Sequence, residues 1–284
     1  MRLGEWTWDP VECGDFRLDG GAMFGNVPKV LWQKTNPADA DNRIAMSLRA
    51  LLLRRPGQVI LVDTGMGDKW DEKRRKMYAL EDAGKNLAGS LKALGVDFAD
   101  ITDVFLTHLH FDHAGGATKM EGGKLLPSFP KARYHIQKGN LETARRPNAR
   151  EKASYLAENF EPLFEAGVIT VHDGPGEILP GVRATISHGH TAGMQVMTVE
   201  GGGSTLSYGA DLIPMKAHVT PSYTMGYDVM PVVVLEEKAV FEKAIHAKNG
   251  ILFFEHDPNV VACRLALDDK GRFCAGEDVL KVNP

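Results

Sequence analysis

The segment Thr107-His108-Leu109-His110-Phe111-Asp112-His113 constrains this chain more than any other. It sets three imidazoles and a carboxylate within six residues, directly after the apolar run Val104-Phe105-Leu106. A packed core has no use for that density of metal-ligating groups. In extended backbone, side chains two apart share a face, so His108 and His110 can reach one ion. Asp112 and His113 lie past a bend, before Ala114-Gly115-Gly116, and can face a neighbouring position. The fold must therefore end a strand where ligands are gathered.

Three other places follow the same pattern. His190 lies in Ser187-His188-Gly189-His190-Thr191-Ala192-Gly193, just past an apolar run ending near Ile186. Asp211 follows the run 205–208 in Gly209-Ala210-Asp211, and His256 follows another apolar run in Phe253-Phe254-Glu255-His256-Asp257. Four strand ends thus present His or Asp, which scattered histidines would rarely do.

The 284 residues, 43% hydrophobic and 25% charged, are enough for one large α/β domain spanning 1–284. A net charge of −4 gives no basic footprint, so nucleic acid is not an expected partner. No run approaches the ~18 apolar residues of a bilayer span, so no membrane partner is expected. The start, Met1-Arg2-Leu3-Gly4-Glu5-Trp6, does not read as a signal peptide. Cys13, Cys263 and Cys274 are odd in number and scattered, which suits a reducing cytosol. The expected location is cytoplasmic.

Residues 1–44 read as an irregular segment rich in Gly, Trp and Pro, centred on Asp19-Gly20-Gly21-Ala22-Met23-Phe24-Gly25. A hairpin follows, with strands over 46–53 and 59–62 joined by Arg54-Arg55-Pro56-Gly57 and ending in Asp63-Thr64-Gly65. Residues 66–86 read as a charged helical excursion. Leu87, Leu91 and Leu94 have helical spacing with Gly95 as a stop. Strands are expected over 104–107 and 132–136, and a helix over 151–160. The second half gives strands over 168–171, 182–187, 194–199 and 205–208, a helix over 235–247 and a strand over 251–254. Two sheet-and-helix halves predict two sheets packed face to face with helices outside.

These landmarks resemble the metallo-β-lactamase superfamily. The HxHxDH run, the Gly-His-Thr segment at 189–191, the isolated Asp211 and the late His256 occur in family order across about residues 45–257. The resemblance implies a four-layer αββα fold with a dinuclear site between the sheets. It implies that His108, His110 and His190 hold the first metal, that Asp112, His113 and His256 hold the second, and that Asp211 bridges them. Asp63 matches the family's buried Asp, which orients a ligand imidazole from beneath. His188, two residues before His190, could act in the same way. Imidazoles and carboxylates suit two divalent ions, zinc first, with Fe, Co or Mn also compatible; without thiolates an iron–sulfur cluster does not fit. Seven ligands over two ions leave positions for water and substrate, as a catalytic site requires. Asp112 is the expected catalytic proton carrier. His135, His172 and His246 read as structural or surface groups without partners.

Within the superfamily the chain looks like the lactonase and organophosphate-hydrolase branch. More narrowly, it looks like the quorum-quenching lactonases that open N-acyl-homoserine lactones. The Asp19–Gly25 loop, the 66–86 excursion and the Tyr223…Tyr227-Asp228 loop carry that likeness. One departure stands out: those lactonases often have a Tyr three residues after the bridging Asp, whereas this chain has Asp211-Leu212-Ile213-Pro214. Tyr223 or Tyr227 could substitute by folding back, or the oxyanion could rest on metal alone. Met23, Phe24, Met215 and Met225 are candidates for an apolar pocket wall, and His218 for a substrate contact. The expected partner is a small-molecule lactone or ester. The alternatives are a phosphotriesterase or broad carboxylesterase on the same metals, and a metal-binding protein without turnover. Trp6, Trp8, Trp32 and Phe24, in a segment with no strand partner of its own, are expected to offer apolar surface for a homodimer.

Overall fold

The computed structural model describes residues 1–80 and 85–282. The first half contains β1 (Arg2–Leu3), β2 (Trp6–Asp19), β3 (Arg43–Arg55), β4 (Gln58–Val62) and β5 (Asp103–Phe105). A separate hairpin, β6 (Thr118–Glu121) and β7 (Lys124–Pro127), precedes β8 (Arg133–Gln137) and β9 (Ile169–His172). The second half contains β10 (Gly176–Leu179), β11 (Val182–Ser187), β12 (Met194–Gly201), β13 (Ser204–Tyr208), β14 (Ile251–Phe253), β15 (Val260–Leu267) and β16 (Phe273–Lys281). Helices are α1 (Gly20–Phe24), α2 (Lys29–Trp32), α3 (Glu72–Met77), α4 (Leu87–Ala93), α5 (Phe111–Ala114), α6 (Lys138–Arg145), α7 (Glu161–Glu165) and α8 (Pro231–Ala247).

Two seven-stranded sheets result, ordered β1-β2-β3-β4-β5-β8-β9 and β10-β11-β12-β13-β14-β15-β16. The pairs β4–β5, β5–β8, β8–β9 and β13–β14 are parallel, so their connections must cross over, and helices fill several of those crossovers. Leu51, Leu53, Ile60 and Val62 pack against Val196, Val199, Tyr208 and Phe253 of the other sheet. Val234, Phe241 and Ile245 of α8 extend the same cluster over the far side. The alternate residues Ala50, Leu52, Leu61 and Val104 pack against Leu91, Leu141 and Leu163 of α4, α6 and α7. Strands buried on both faces must read as continuous apolar runs, and β3 and β4 do. The layers are αββα, as the sequence pattern predicts.

Two expectations need correction. The N-terminal segment is not irregular: β2 runs for 14 residues along β3. Pro10, Asp9 and Glu12 interrupt its apolar pattern. A register shift between Glu12 and Gly14, with Gly14 at φ 140°, then changes the phase of the alternation. Trp6, Trp8, Trp32 and Phe24 are consequently 0–2% exposed, and the apolar surface expected to support a homodimer is the interior of one chain. The helix expected over 151–160 is also absent. That stretch is a turn with a short 3-10 segment at Ala157–Asn159, and the helix lies upstream as α6. The 66–86 excursion does contain α3, although 81–84 fall outside the described residues. All three cysteines are free, and no helix among the described residues is long and apolar enough to cross a membrane.

Arg49 of β3 joins the sheets. Its side chain is fully buried; Nε donates to Glu12 Oε1 at 2.6 Å and Nη2 to Ser47 Oγ at 3.1 Å. Nη1 donates to the carbonyls of Phe254 and Asp257, both at 3.0 Å, on either side of His256. Removing one member of a buried ion pair strands the other and every acceptor it served. Arg49→Ala should therefore cost about 3–5 kcal/mol of unfolding free energy. Urea titration reads this as a lower midpoint, and an unchanged midpoint would contradict the assignment.

Candidate metal centre

Each ligand-type side chain stands on a loop that leaves a strand. β5 ends at Phe105, and residues 106–110 run extended into α5, which holds Phe111, Asp112 and His113. The loop after β11 carries His190, the turn after β13 carries Asp211, and the turn after β14 carries His256. Glycine makes the first of these possible. A Cβ on Gly115 would lie 2.1 Å from the Met66 carbonyl oxygen, so α5 docks against the Asp63–Gly67 turn only because none is there.

The atoms converge as the sequence pattern predicts. His110 Nδ1 lies 3.0 Å from His108 Nε2 and 3.3 Å from His190 Nε2, and Asp211 Oδ2 lies 3.1 Å from His190 Nε2. On the other side, His113 Nε2 lies 3.9 Å from Asp112 Oδ1, and His256 Nε2 lies 3.8 Å from Asp112 Oδ2. Asp211 reaches both groups, with Oδ2 at 3.5 Å from His113 Nε2 and Oδ1 at 3.3 Å from His256 Nε2. Donors bound ~2.0–2.2 Å from one tetrahedral ion lie about 3.4 Å from each other, which is the spacing found.

Orientation comes from the other ring nitrogens. His256 Nδ1 donates to the Ser47 carbonyl at 2.9 Å, and His190 Nδ1 to Asp228 Oδ1 at 3.0 Å. Thr107 Oγ1 gives its proton to Asp63 Oδ2 at 2.7 Å, so it accepts from His108 Nδ1 at 3.0 Å. His113 Nδ1 faces two carboxylates, Asp63 Oδ2 at 3.0 Å and Glu255 Oε2 at 2.9 Å. With Nδ1 spent as a donor in four rings, four Nε2 atoms point inward and are the ones a metal would engage. His113 Nε2, His256 Nε2, His110 Nε2 and Asp211 Oδ1 are buried without a hydrogen-bond partner. Orphaned groups at this density are costly unless an ion satisfies them, so the donor set fits a dinuclear metal site.

The electrostatics agree. Burial and the neighbouring imidazoles hold His108 and His110 well below the ordinary imidazole range, so both are neutral. Burial also pushes His190 down, but Asp211 and Asp228 outweigh it and bring its pKa to about 10. For His256 burial opposes Glu255 and Asp211, and the carboxylates win at about 9. His113 is raised well above its usual value, with Glu255, Asp211 and Asp112 overcoming burial. Asp211 stays ionised because His113 and His190 outweigh the burial that would raise it.

Asp63 sits where the sequence expectation puts it. It also accepts from the Thr107 amide at 2.7 Å. His188 does not act from beneath the site: it is exposed, and its Nδ1 accepts from the Gly193 amide at 3.3 Å. Glu255 and Asp228 were not singled out. A lone acid ending an apolar run was the available signal for Glu255, whereas Asp228 stands 38 residues from its partner with no local mark. His135 and His172 do have partners. His135 Nε2 is 2.9 Å from Asp103 Oδ1 and its Nδ1 is 3.0 Å from His172 Nε2, away from the centre.

A cavity of about 340 Å³ opens over the cluster. Its floor includes His110, Asp112, His190, Asp211 and His256, and Met23, Met46, Phe111 and Met225 form an apolar wall. Tyr78 and Tyr227 complete it, together with Arg150 and Glu151. Of the expected substrate contacts, Met23 and Tyr227 line the cavity. Phe24, Tyr223 and His218 stand behind: Phe24 stacks on Trp32 at 5.3 Å and on His218 at 4.9 Å, with Tyr223 edge-on at 6.0 Å. His218 Nε2 donates to the Met23 carbonyl at 2.9 Å, and Met215 is fully buried away from the opening.

Because three imidazoles hold protons in the metal-free protein, metal must displace them. Zinc binding should release protons at pH 7.5, and its affinity should fall as pH drops from 9 towards 6, in line with pKa values of about 10 and 9 for His190 and His256. Calorimetry in buffers of different ionisation enthalpy measures this, and binding without proton release would contradict these protonation states.

Comparison with known proteins matches this geometry. The metallo-beta-lactamase superfamily model matches residues 49–256. The N-acyl homoserine lactonase AiiA of Bacillus thuringiensis subsp. kurstaki is 25% identical over 213 residues, covering 70% of this chain and 76% of its own. Among solved structures, a probable metal-dependent hydrolase from Staphylococcus aureus superposes with a TM-score of 0.88 at 27% identity, covering 99% of this chain and 100% of that one. The dizinc quorum-quenching lactonase AidC, in complex with a product, superposes at 0.80 with 23% identity, covering 100% and 97%, a likeness of fold. With the HxHxDH strand end, His190, Asp211 and His256 all inside the matched span, the chain belongs to the metallo-beta-lactamase superfamily and is one of its hydrolases.

Proposed function

We propose that this protein is a lactonase that opens the ring of N-acyl-homoserine lactones and so quenches quorum signals. The observation that carries this reading is the cavity, which joins a ligand-rich floor to a methionine-lined wall. Such a site suits a neutral ester ring with an aliphatic tail, since each buried methylene contributes ~0.8 kcal/mol. The lactonase relatives support the same substrate class.

In this reading His108, His110, His190 and Asp211 would hold one divalent ion, and Asp112, His113 and His256, together with Asp211, would hold the other. Zinc suits the all-nitrogen and oxygen set. When bound, the ions supply Lewis acidity towards the ester carbonyl and favour water attack at neutral pH. Asp112, 8% exposed at the cavity floor, takes the proton of the attacking water and returns it to the leaving ring oxygen. Pro214 stands where the resemblance led one to expect a tyrosine, and its carbonyl accepts from the His256 amide at 3.1 Å. The phenol comes instead from Tyr227 on the cavity lip. Burial pushes its pKa up to about 12, helped by Asp112, so it remains a proton donor for the substrate carbonyl.

Asp112→Asn should lower kcat about 10²–10⁴-fold while retaining most of the metal, since an oxygen ligand survives but the proton carrier does not. Asp211→Ala should lose activity and metal together. Elemental analysis and steady-state kinetics at saturating zinc measure both, and near-normal turnover in Asp112→Asn would contradict its role. The wild type should hydrolyse homoserine lactones with kcat/KM rising with acyl length until the cavity is full. Fast turnover of an organophosphate triester with none of any lactone would replace this reading with a phosphotriesterase.

A further inference from the structure

Glu151 is a buried carboxylate that the metal chemistry does not use. It is 5% exposed and lines the cavity beside His190. Thr191 Oγ1 lies 2.5 Å from its Oε1, and Asn148 Nδ2 donates to its Oε2. The chain of donors leading to it has one direction. Asn140 Nδ2 donates to Tyr155 Oη at 3.2 Å, Tyr155 Oη lies 2.6 Å from Thr191 Oγ1, and Thr191 passes its single proton on to Glu151. Since Thr191 has no second proton, Tyr155 must be the donor to it, and Glu151 is the acceptor at the end. An ionised carboxylate is acceptor-only with about four lone-pair sites, of which neutral donors fill two.

No ion pair with Glu151 occurs among the described residues. Its neighbour Arg150 is committed elsewhere, donating to the carbonyls of Gly226 and Asp228. The cavity wall therefore carries a carboxylate with unfilled acceptor capacity, whose neighbouring guanidinium is turned to backbone carbonyls. A ligand N–H is the group that fits. The position fits as well: Glu151 is held by Thr191, the residue after the metal-side His190, so it stands beside the reacting centre. In an N-acyl-homoserine lactone the amide N–H sits on the carbon next to the ring carbonyl.

We infer that Glu151 is a specificity-determining residue that accepts the N–H of an α-amido lactone and so selects acylamino lactones over plain alkyl lactones. This rests on the lactonase reading above and goes beyond it by naming the group that reads the amide. The test compares N-hexanoyl-homoserine lactone with the analogue in which a methylene replaces the N–H, using zinc-loaded wild type, Glu151→Ala and Glu151→Gln. The wild type should prefer the amide by about ten- to hundred-fold in kcat/KM, the span of a charge-assisted hydrogen bond. Glu151→Ala should bring the ratio close to one by lowering turnover of the amide substrate more than that of the methylene analogue. Glu151→Gln, which keeps an acceptor without the charge and guards against a folding defect in the alanine variant, should fall between.

A merely structural Glu151 would lower both substrates equally and leave the ratio intact, and that result would overturn the inference. So would a wild type with no preference for the amide. Calorimetric binding of the two ring-opened products to the same three proteins separates this claim from the lactonase reading. If no lactone turns over yet wild type binds the amide product more tightly and Glu151→Ala does not, the lactonase reading fails and the Glu151 assignment stands. If binding is also indifferent to the N–H, both fail.

Discussion

Everything in this structure depends on holding a set of mutually repelling lone pairs in one buried place. Four imidazole Nε2 atoms, one Nδ1 and two carboxylates fall into two adjoining groups, each within 4.8 Å, while being 0–8% exposed. Without an ion, that arrangement gains nothing from hydrophobic burial and forfeits hydration. It persists because four of the five rings are fixed from behind, and because the cores on either side supply the stability that the site does not. The restraints are of different kinds: a backbone carbonyl for His256, a hydroxyl for His108, and carboxylates for His113 and His190. Each restraint fixes a direction, so that once an incoming metal displaces the remaining protons the freed nitrogen already faces it.

The same need explains where the two sheets are tied together. The first sheet supplies His108 to His113 and the second supplies His190, Asp211 and His256, so any sliding between them would open the site. Polar ties between the sheets concentrate close to it. Gln195 Nε2 donates to the Leu106 carbonyl at 2.8 Å, and the Gln195 amide to the Thr107 carbonyl at 2.9 Å. The Ser47 amide donates to the His256 carbonyl at 3.1 Å, and Tyr208 Oη donates to the Arg49 carbonyl at 3.0 Å. Arg49 does the heaviest share, because one guanidinium reads both sides of the His256 turn. Apolar packing holds the layers at the right separation but does not fix their register, whereas directional bonds do.

What the sequence revealed follows from what is local. The HxHxDH spacing, the glycines behind it and the doubly apolar runs of β3 and β4 are properties of adjacent residues, and they were legible. β2 was not, because its alternation holds only after the shift at Gly14, and a shift is visible only against a partner strand. The stretch after residue 150 has helical spacing, yet Glu151 and Tyr155 are drawn to Thr191 and Asn140 at the cavity, and those distant bonds prevail over local propensity. The N-terminal aromatics looked exposed for the related reason that their partners lie across the sheet interface. Trp8 meets Phe253 at 6.2 Å, and no neighbour in sequence announces it.

The cavity shows how a common metal floor can be given a narrow preference. Its apolar wall of Met23, Met46, Met225 and Phe111 is adaptable, because the thioether chain is flexible. Flexibility alone would give a loose binder, but the wall has a stiff backing. Phe24 is held between Trp32 and His218, with planes 5° and 16° from parallel, and His218 fixes the Met23 carbonyl. Lys238 of α8, almost fully buried, donates to the carbonyls of His218, Thr220 and Tyr223 and so anchors that backing to the second sheet's helix. Adaptable side chains on a rigid backbone let the wall change shape without moving the floor.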